Sequence, residues 1–336
     1  MVKRHSAISH AAYHDLLSAL QDEAVSDIRG TPKKVERNGK AYWYDMYRIG
    51  SDVKNIYIGE DSDELSERLE RHAQLKSEAR ERRAERVRLV QLLRAEGLMS
   101  VDAGTGSLLN AMASSGVFRL GGTLVGTNAF RLYDGELGVR FKLDETALTQ
   151  DVDIASYERL SLALKDTVSP ELEKVLSDFS FAPVPSLKQT STWRWRQSRS
   201  NTQVEFLTPS FEDDEGIKHL KALGVDAQSL HHLNYLLAKP IKAAVIYRSG
   251  VLVQIPRPER FAIHKLIVAD RQTDRLKSRK DLLQAQFLIE VLAEDRPDEL
   301  EIAFNEATKL GSKWQDRISA SLAKLPETQE RLDTLR

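Results

Sequence analysis

The sequence predicts an α+β protein built as an N-terminal α/β extension, a β-rich middle and a C-terminal helical bundle. Three observations carry that expectation. Apolar residues recur at helical spacing over residues 7–28, at Ala12, Leu16, Leu17, Leu20 and Ala24. Strand-forming runs bounded by turn residues cluster at 33–60 and again between 117 and 255. From Pro258 onward the pattern is helical to the end. The parts divide as residues 1–100, 101–257 and 258–336.

Taken in order, residues 7–28 form the first helix. Asn38-Gly39 is a hairpin signal ahead of Ala41-Tyr42-Trp43-Tyr44-Asp45-Met46-Tyr47, and Val53 to Ile58 is a further strand, so a small antiparallel β-unit is expected. Asp61 followed by Glu64 resembles a capping box, and one long charged helix should run from about 62 to 97, with Gly97 as its stop. Residues 103–116 predict a short helix and Val117 to Leu120 a strand. A Gly-Gly turn follows, then a helix from about 124 to 133 and a loop or hairpin over 134–148. Residues 155–166 and 169–178 predict helices, the second started by Ser169-Pro170-Glu171. Thr190 to Arg196 and Gln203 to Leu207 pair as strands across a Ser200-Asn201 turn. Ala243 to Tyr247 and Val251 to Ile255 form a hairpin around Ser249-Gly250.

Composition narrows the function classes. A chain of 336 residues has room for two domains, and 41% hydrophobic residues suffice for a core. Lys+Arg number 49 against Asp+Glu 50, so no global charge draws the chain to nucleic acid or membrane. Without cysteine, disulfides, thiol catalysis and thiolate zinc sites are excluded. No apolar run approaches the roughly 18 residues of a membrane span. Met-Val-Lys-Arg-His has the charge of a signal peptide, but no apolar stretch follows it. A cytoplasmic protein is expected.

The chemistry-bearing residues begin with Asp151 and Asp153 in Thr149-Gln150-Asp151-Val152-Asp153-Ile154-Ala155. On a strand, residues i and i+2 share a face. Both carboxylates then point one way, with Val152 and Ile154 directed into the core. Mg²⁺ prefers such hard oxygen donors. Upstream, Phe118-Arg119-Leu120-Gly121-Gly122-Thr123-Leu124 offers a Gly-Gly turn whose bare N–H groups suit an anion at a helix start. Together they suggest a metal-dependent site for a nucleoside triphosphate. Glu205, a lone acid in Val204-Glu205-Phe206-Leu207-Thr208-Pro209, joins the pair if its strand lies beside theirs. Three acids around one or two Mg²⁺ can bind a triphosphate and assist deprotonation of a hydroxyl. Lys265, in Phe261-Ala262-Ile263-His264-Lys265-Leu266, offers a point charge to phosphate oxygens. A basic run of Arg271, Arg275, Lys277, Arg279 and Lys280 follows, closed by Asp281.

Each feature has a plainer explanation. Gly121-Gly122 can be a tight turn, Glu205 a charge that blocks sheet-edge pairing, and Lys265 a solvated helix lysine. The charged helix has Arg68, Arg71, Lys76, Arg80, Arg82, Arg83, Arg86, Arg88 and Arg94 among glutamates, which fits a solvated face with i,i+4 pairs or an RNA-binding face. Tyr42, Trp43, Tyr44, Tyr47 and Tyr57 among lysines and arginines suit base stacking or the core of a small β-unit. The tryptophans of Trp193-Arg194-Trp195-Arg196 read as core, its arginines as facing the cleft or solvent. His231-His232 lies in a helix-like stretch where adjacent side chains diverge, and it gives no zinc site.

The order strand, Gly-Gly, helix, Asp-x-Asp strand, later acidic strand resembles the DNA polymerase beta-like nucleotidyltransferase superfamily. Leu120-Gly121-Gly122-Thr123 and Asp151-Val152-Asp153-Ile154 look like abortive-infection-type and related bacterial members, as does the stretch from Phe261 to Asp281. The resemblance covers roughly residues 105–292. It implies a nucleotidyltransferase core with a mixed β-sheet, the site at one edge, Mg²⁺ (with Mn²⁺ as an alternative) and an NTP substrate such as ATP. By that resemblance Gly121, Gly122 and Thr123 cradle the triphosphate, and Asp151, Asp153 and Glu205 are the metal and base carboxylates. Lys265 and Lys280 hold phosphates. The long gap from Gly122 to Asp151 makes residues 134–148 an insertion, and the third acid is Glu where Asp is more usual.

The expected reaction moves a nucleoside monophosphate from an NTP to an acceptor hydroxyl. An RNA or tRNA 3′ end is one acceptor, in keeping with a toxin-like member and an antitoxin-type protein partner. A protein hydroxyl or a small molecule is another, and a non-catalytic nucleotide- or nucleic-acid-binding protein on the same scaffold is the alternative class.

Overall fold

A computed structural model describes every residue except 1, 27, 29, 38, 50, 51, 142–150, 158–165, 186–190, 199, 201, 212–214 and 336. Helix α1 (Ala7–Ser26) buries Ala12, Tyr13, Leu16 and Leu20 along one stripe. Strands β1 (Thr31–Arg37), β2 (Lys40–Ile49) and β3 (Asp52–Glu60) follow as an antiparallel sheet in the order β1-β2-β3. The stretch expected as one helix from 62 to 97 is instead three segments, α2 (Asp63–Glu70), α3 (His72–Ser77) and α4 (Ala79–Ala95). The breaks fall at Arg71 and Glu78, each with ψ of 3°, outside helical geometry. The bends let all three segments pack on α1. Ser62, not Asp61, caps α2, accepting the Leu65 N–H at 3.1 Å. Asp61 accepts the Trp43 indole N–H at 2.6 Å instead.

Helix α5 (Ala103–Ser115) is capped by Asp102. Residues 117–120 are turns rather than a strand, closed by Leu120 N–H on Gly116 O and Gly122 N–H on Val117 O, both at 2.9 Å. Next come β4 (Thr123–Val125), α6 (Gly126–Glu136), β5 (Val152–Ala155) and α7 (Leu172–Asp178). Helix α6 runs into the segment expected as a loop, and the rest of the expected insertion lies largely outside the described residues. So does most of the helix expected over 155–166, of which Ala155 is strand and Ser156 and Tyr157 are not helical.

The second sheet is completed by β6 (Phe181–Pro183), β7 (Arg194–Gln197), β8 (Gln203–Pro209), β9 (Ile217–Leu220) and β10 (Val225–Leu230). Its order is β4-β5-β8-β10-β9, with β7 pairing β6 and β8. Strands β5, β8 and β10 run parallel, while β4, β7 and β9 are antiparallel to their neighbours. The fold is thus α+β around a mixed sheet. A short helix α8 (Leu233–Leu236) leads to the hairpin β11 (Ile241–Val245) and β12 (Val251–Ile255). Helices α9 (Pro258–Arg271), α10 (Arg275–Asp295), α11 (Pro297–Thr308), α12 (Ser312–Leu322) and α13 (Pro326–Thr334) follow.

The large core joins the parts. It holds Tyr44 and Tyr57 of the first sheet, the inner face of the mixed sheet and residues of the last helix such as Leu332. A second cluster packs α1 and α4 against Ala244 of β11 and Ile246 just past its end.

Candidate active site

Register, not proximity in sequence, assembles the site. Asp153 pairs with Val125 on one side and Glu205 on the other, and Glu205 pairs with Arg194. Cross-strand partners share a face, so Asp153, Glu205 and Arg194 form a row across three strands. Asp151 joins their face from just before β5. On the opposite face Val152, Ile154, Val204 and Phe206 are fully buried, each contributing about 1.5–3 kcal/mol to holding the strands flat on the core. A one-residue slip would turn the acids inward, so the apolar alternation fixes the row.

Asp151 Oδ1 accepts the Gln203 N–H at 3.2 Å, and its carbonyl accepts Asn128 Nδ2 at 2.6 Å. Glu205 is ion-paired to Arg194 Nε at 2.7 Å, and the Arg194 guanidinium lies over the Trp193 ring at 4.3 Å. Asp153 keeps some exposure to solvent but is closely surrounded by protein. Burial, then Glu205, then Asp151 push its carboxyl up to about 7, against the pull of Lys265 and Lys277. Burial likewise raises Glu205, opposed chiefly by Arg194. Among the described residues no three acidic or histidine side chains by themselves enclose a metal position. The strand of Glu205 lies beside that of Asp153, as the sequence expectation required, and the acids form an open row, Asp151 on a backbone amide and Glu205 on an arginine. An open carboxylate row still fits Mg²⁺, which commonly takes one or two carboxylates and completes its shell with water and substrate phosphate.

The Gly-Gly turn expected to cradle phosphate leads into strand β4 and does not open the helix beside the acids. Thr123 pairs with Ala155, at the opposite end of β4 from Asp153. Its hydroxyl accepts Gln254 Nε2 at 2.9 Å. A methyl on Gly122 would meet Val117 O at 2.8 Å. Gly121, Gly122 and Thr123 therefore form a packed turn entering a strand, not a helix start. The helix that faces the acids begins at Gly126. There φ is +65°, and a Cβ would lie 2.4 Å from Asp153 Oδ2. Helix α6 has no side-chain cap at its start, so its first N–H groups are left for another acceptor. Thr127 and Asn128 are buried in that first turn, and among the described residues Asn128 Oδ1 has no hydrogen-bond partner. The only local signal is Thr123-Leu124-Val125-Gly126-Thr127, a β-forming triplet running into Gly and Thr.

Lys265 is also placed differently from expectation. It is buried, ion-paired to Asp281 and set over the Phe261 ring. Its charge reaches Asp153, but its ammonium is already held by a carboxylate. Lys277 and Lys280 lie on the first turns of α10. Lys277 lowers both Asp153 and Glu205. Lys280 is itself lowered, by burial first and then by Lys265, while Asp281, Asp151 and Asp153 oppose the shift. Buried Gln284 approaches Thr127 Oγ1 with its Nε2 at 3.5 Å, so α10 closes over the start of α6. His231 and His232 are in a turn rather than a helix, with His232 at φ +74°.

An acid row, an uncapped helix start against it and lysines facing both are parts that phosphoryl-type transfer uses. A nucleotidyltransferase family matches residues 103–309, which hold all of these parts and more than half of the chain. The chain belongs to that family. Residues 10–67 match a second family, a domain of unknown function (DUF6788). Among solved structures the chain is similar to an antigenic nucleotidyltransferase-like protein from Paracoccidioides brasiliensis. The identity is 12%, the match covers 70% of this chain and 95% of that one, and the TM-score is 0.37. No curated protein matches it. No helix among the described residues is long and apolar enough to cross a membrane.

Proposed function

We propose that this protein transfers a nucleoside monophosphate from an NTP to an acceptor hydroxyl, using Mg²⁺ and releasing pyrophosphate. The observation that carries the reading is the in-register pairing of Asp153 with Glu205, with the open start of α6 against Asp153. Asp151 and Asp153 would hold the metal together with substrate oxygens. When bound, Mg²⁺ supplies charge neutralisation on the triphosphate. The N–H groups of Gly126, Thr127 and Asn128 cradle phosphate oxygens, and Lys277 and Lys280 neutralise the departing pyrophosphate. The acceptor oxygen bonds to the α-phosphorus as the bond to the pyrophosphate oxygen breaks. Glu205, next to Asp153 and steadied by Arg194, receives the hydroxyl proton. Catalysis rests on positioning and electrostatics.

Kinship to the DNA polymerase beta-like, abortive-infection-type members belongs to the same proposal. So do ATP as donor, a cytoplasmic setting, and an RNA 3′ end as acceptor with a toxin-like role. The test is incubation with each α-labelled NTP, Mg²⁺ and total RNA, lysate protein or small hydroxyl compounds, beside an Asp151→Ala/Asp153→Ala double variant. Label moving to one acceptor class, and lost in the variant, is expected. Label in none of the fractions overturns the transferase reading. Lys277→Ala and Lys280→Ala are each expected to raise KM for NTP about tenfold, and the pair of changes more.

A further inference from the structure

Helix α1 carries a histidine pair that neither the acid row nor the core uses. His10 and His14 are four residues apart on α1, so their side chains lie one above the other on one face. Their Nε2 atoms stand 3.1 Å apart, with ring centroids 4.7 Å apart and planes at 63°. The carbonyl oxygen of Glu136, the last residue of α6, lies 3.4 Å from the same His10 Nε2. His14 is exposed and His10 half-buried, so the pair opens to solvent. The His10 ring is seated against Gly138, where a Cβ would come within 3.1 Å of its Cγ.

Hydrogen bonding alone does not account for this arrangement. An imidazole nitrogen either donates one hydrogen or accepts with one lone pair. His10 Nε2 has two polar atoms within reach and can serve one of them. A single cation between the three atoms would serve them all. Zn²⁺ holds imidazole nitrogen at about 2.0–2.1 Å and oxygen at about 2.0–2.2 Å. At that range two nitrogens 3.1 Å apart subtend about 98° at the metal, and the nitrogen and oxygen 3.4 Å apart about 110°. The second angle is tetrahedral and the first a little narrower. The i,i+4 spacing is the one that sets two histidines of a helix on one zinc. The third donor is a backbone oxygen, not a third acidic or histidine side chain, which leaves a position for water. The surrounding charge also suits a dication. Asp15 adjoins His14 in the chain. Arg296 is held by Glu136 at 3.2 Å and Glu259 at 3.5 Å, and Arg257 by Glu259 at 3.3 Å. Three carboxylates thus stand against two guanidinium groups.

We propose that His10, His14 and the Glu136 carbonyl form a binding site for a divalent transition-metal ion such as Zn²⁺, which ties α1 of the N-terminal extension to the end of α6. Imidazole selects this class of ion, whereas Mg²⁺ takes oxygen donors. The site is independent of the chemistry proposed for the acid row, and the fold stands without the ion.

The test is calorimetric titration of the untagged full chain with Zn²⁺ in excess Mg²⁺. Beside it stand His10→Ala, His14→Ala, His231→Ala/His232→Ala and Asp151→Asn/Asp153→Asn variants, each checked by its melting curve. His14 is exposed on a helix, so its alanine variant should fold. One equivalent of Zn²⁺ should bind the parent, the His231/His232 variant and the acid-row variant alike. Affinity should fall at least about tenfold in His10→Ala and in His14→Ala, because loss of even an outer-shell partner of a metal ligand costs about 10–100-fold. Zn²⁺ should raise the Tm of the parent and leave that of His14→Ala in place. Three results overturn the proposal: no binding by the parent, unchanged affinity in either single histidine variant, or loss of the ion in the acid-row or His231/His232 variant, which would place it there.

Discussion

Gly122 and Gly126 are four positions apart, and a methyl group would do different things at each. At Gly122 it would press on Val117, at 2.6 Å from Cγ1 and 2.8 Å from the carbonyl, so Gly122→Ala is expected to cost about 1–3 kcal/mol of stability. At Gly126 it would displace the Asp153 carboxylate and strain a left-handed residue by about 1–2 kcal/mol. Gly126→Ala should therefore lower transferase activity at least about a hundredfold while the fold survives. A variant that melts normally and remains active would show that the start of α6 does not serve the site. Asp153 adds a pH signature. Its folded-state value, near 7, lies above the ordinary 3.8. The folded protein thus keeps a proton that the unfolded chain releases. Its contribution to stability without ligand falls as pH rises from about 4 to about 7. Metal–nucleotide binding needs the carboxylate, so the rise in Tm given by Mg²⁺ and NTP should grow between about pH 6 and pH 8. Asp153→Asn should flatten that growth; an unchanged pH dependence in this variant would assign it to another group.

Among the elements, what could be read in advance depended on range. The alternation around Asp151, Asp153 and Glu205 is local, and the strands carrying it are where the sequence predicts. Which glycine faces the acids depends on the register of β4 against β5, and no local string encodes that. The pairing of β7 with β8 is the one the sequence predicts; only the register that sets Arg194 opposite Glu205 had to come from the structure. Strands β9 and β10 were not foreseen because Ile217-Lys218-His219-Leu220 and Val225-Asp226-Ala227-Gln228-Ser229-Leu230 are polar and short. Helix α4 shows the limit from another side. Its arginines look alike in sequence, yet Arg86 is 1% exposed, ion-paired to Glu23 and donating to Ser249 O, whereas the Arg88 side chain is 79% exposed. Arg86→Ala should destabilise the protein by about 2–4 kcal/mol, with Glu23 at the rim softening the loss of a buried partner. Arg88→Ala should change it by less than about 0.5 kcal/mol. Denaturant midpoints of the two variants check the contrast.

Across the whole molecule, the N-terminal extension and the nucleotidyltransferase-family region share their interior. Tyr13 of α1 is buried against Gly135 of α6 and accepts the Ala244 N–H at 3.1 Å. Asp134 of the same helix accepts His5 Nε2 at 3.0 Å and the Met99 N–H at 2.8 Å. Arg119 and the Tyr57 N–H converge on Asp166. Thermal unfolding of the full chain should therefore be a single transition. A fragment starting at residue 101 should bind a hydrophobic dye or precipitate; a soluble, sharply melting fragment would contradict this. One consequence concerns the order of events in a cell. Arg194 already serves Glu205 as counter-ion, so the chain can finish folding before any metal arrives, and chelators should leave it intact, unlike a zinc finger. On the proposed chemistry the cation then enters already chelated by its nucleotide. On that proposal the metal in use would follow the supply of metal–nucleotide complexes around the protein more than a preference stored in the empty site.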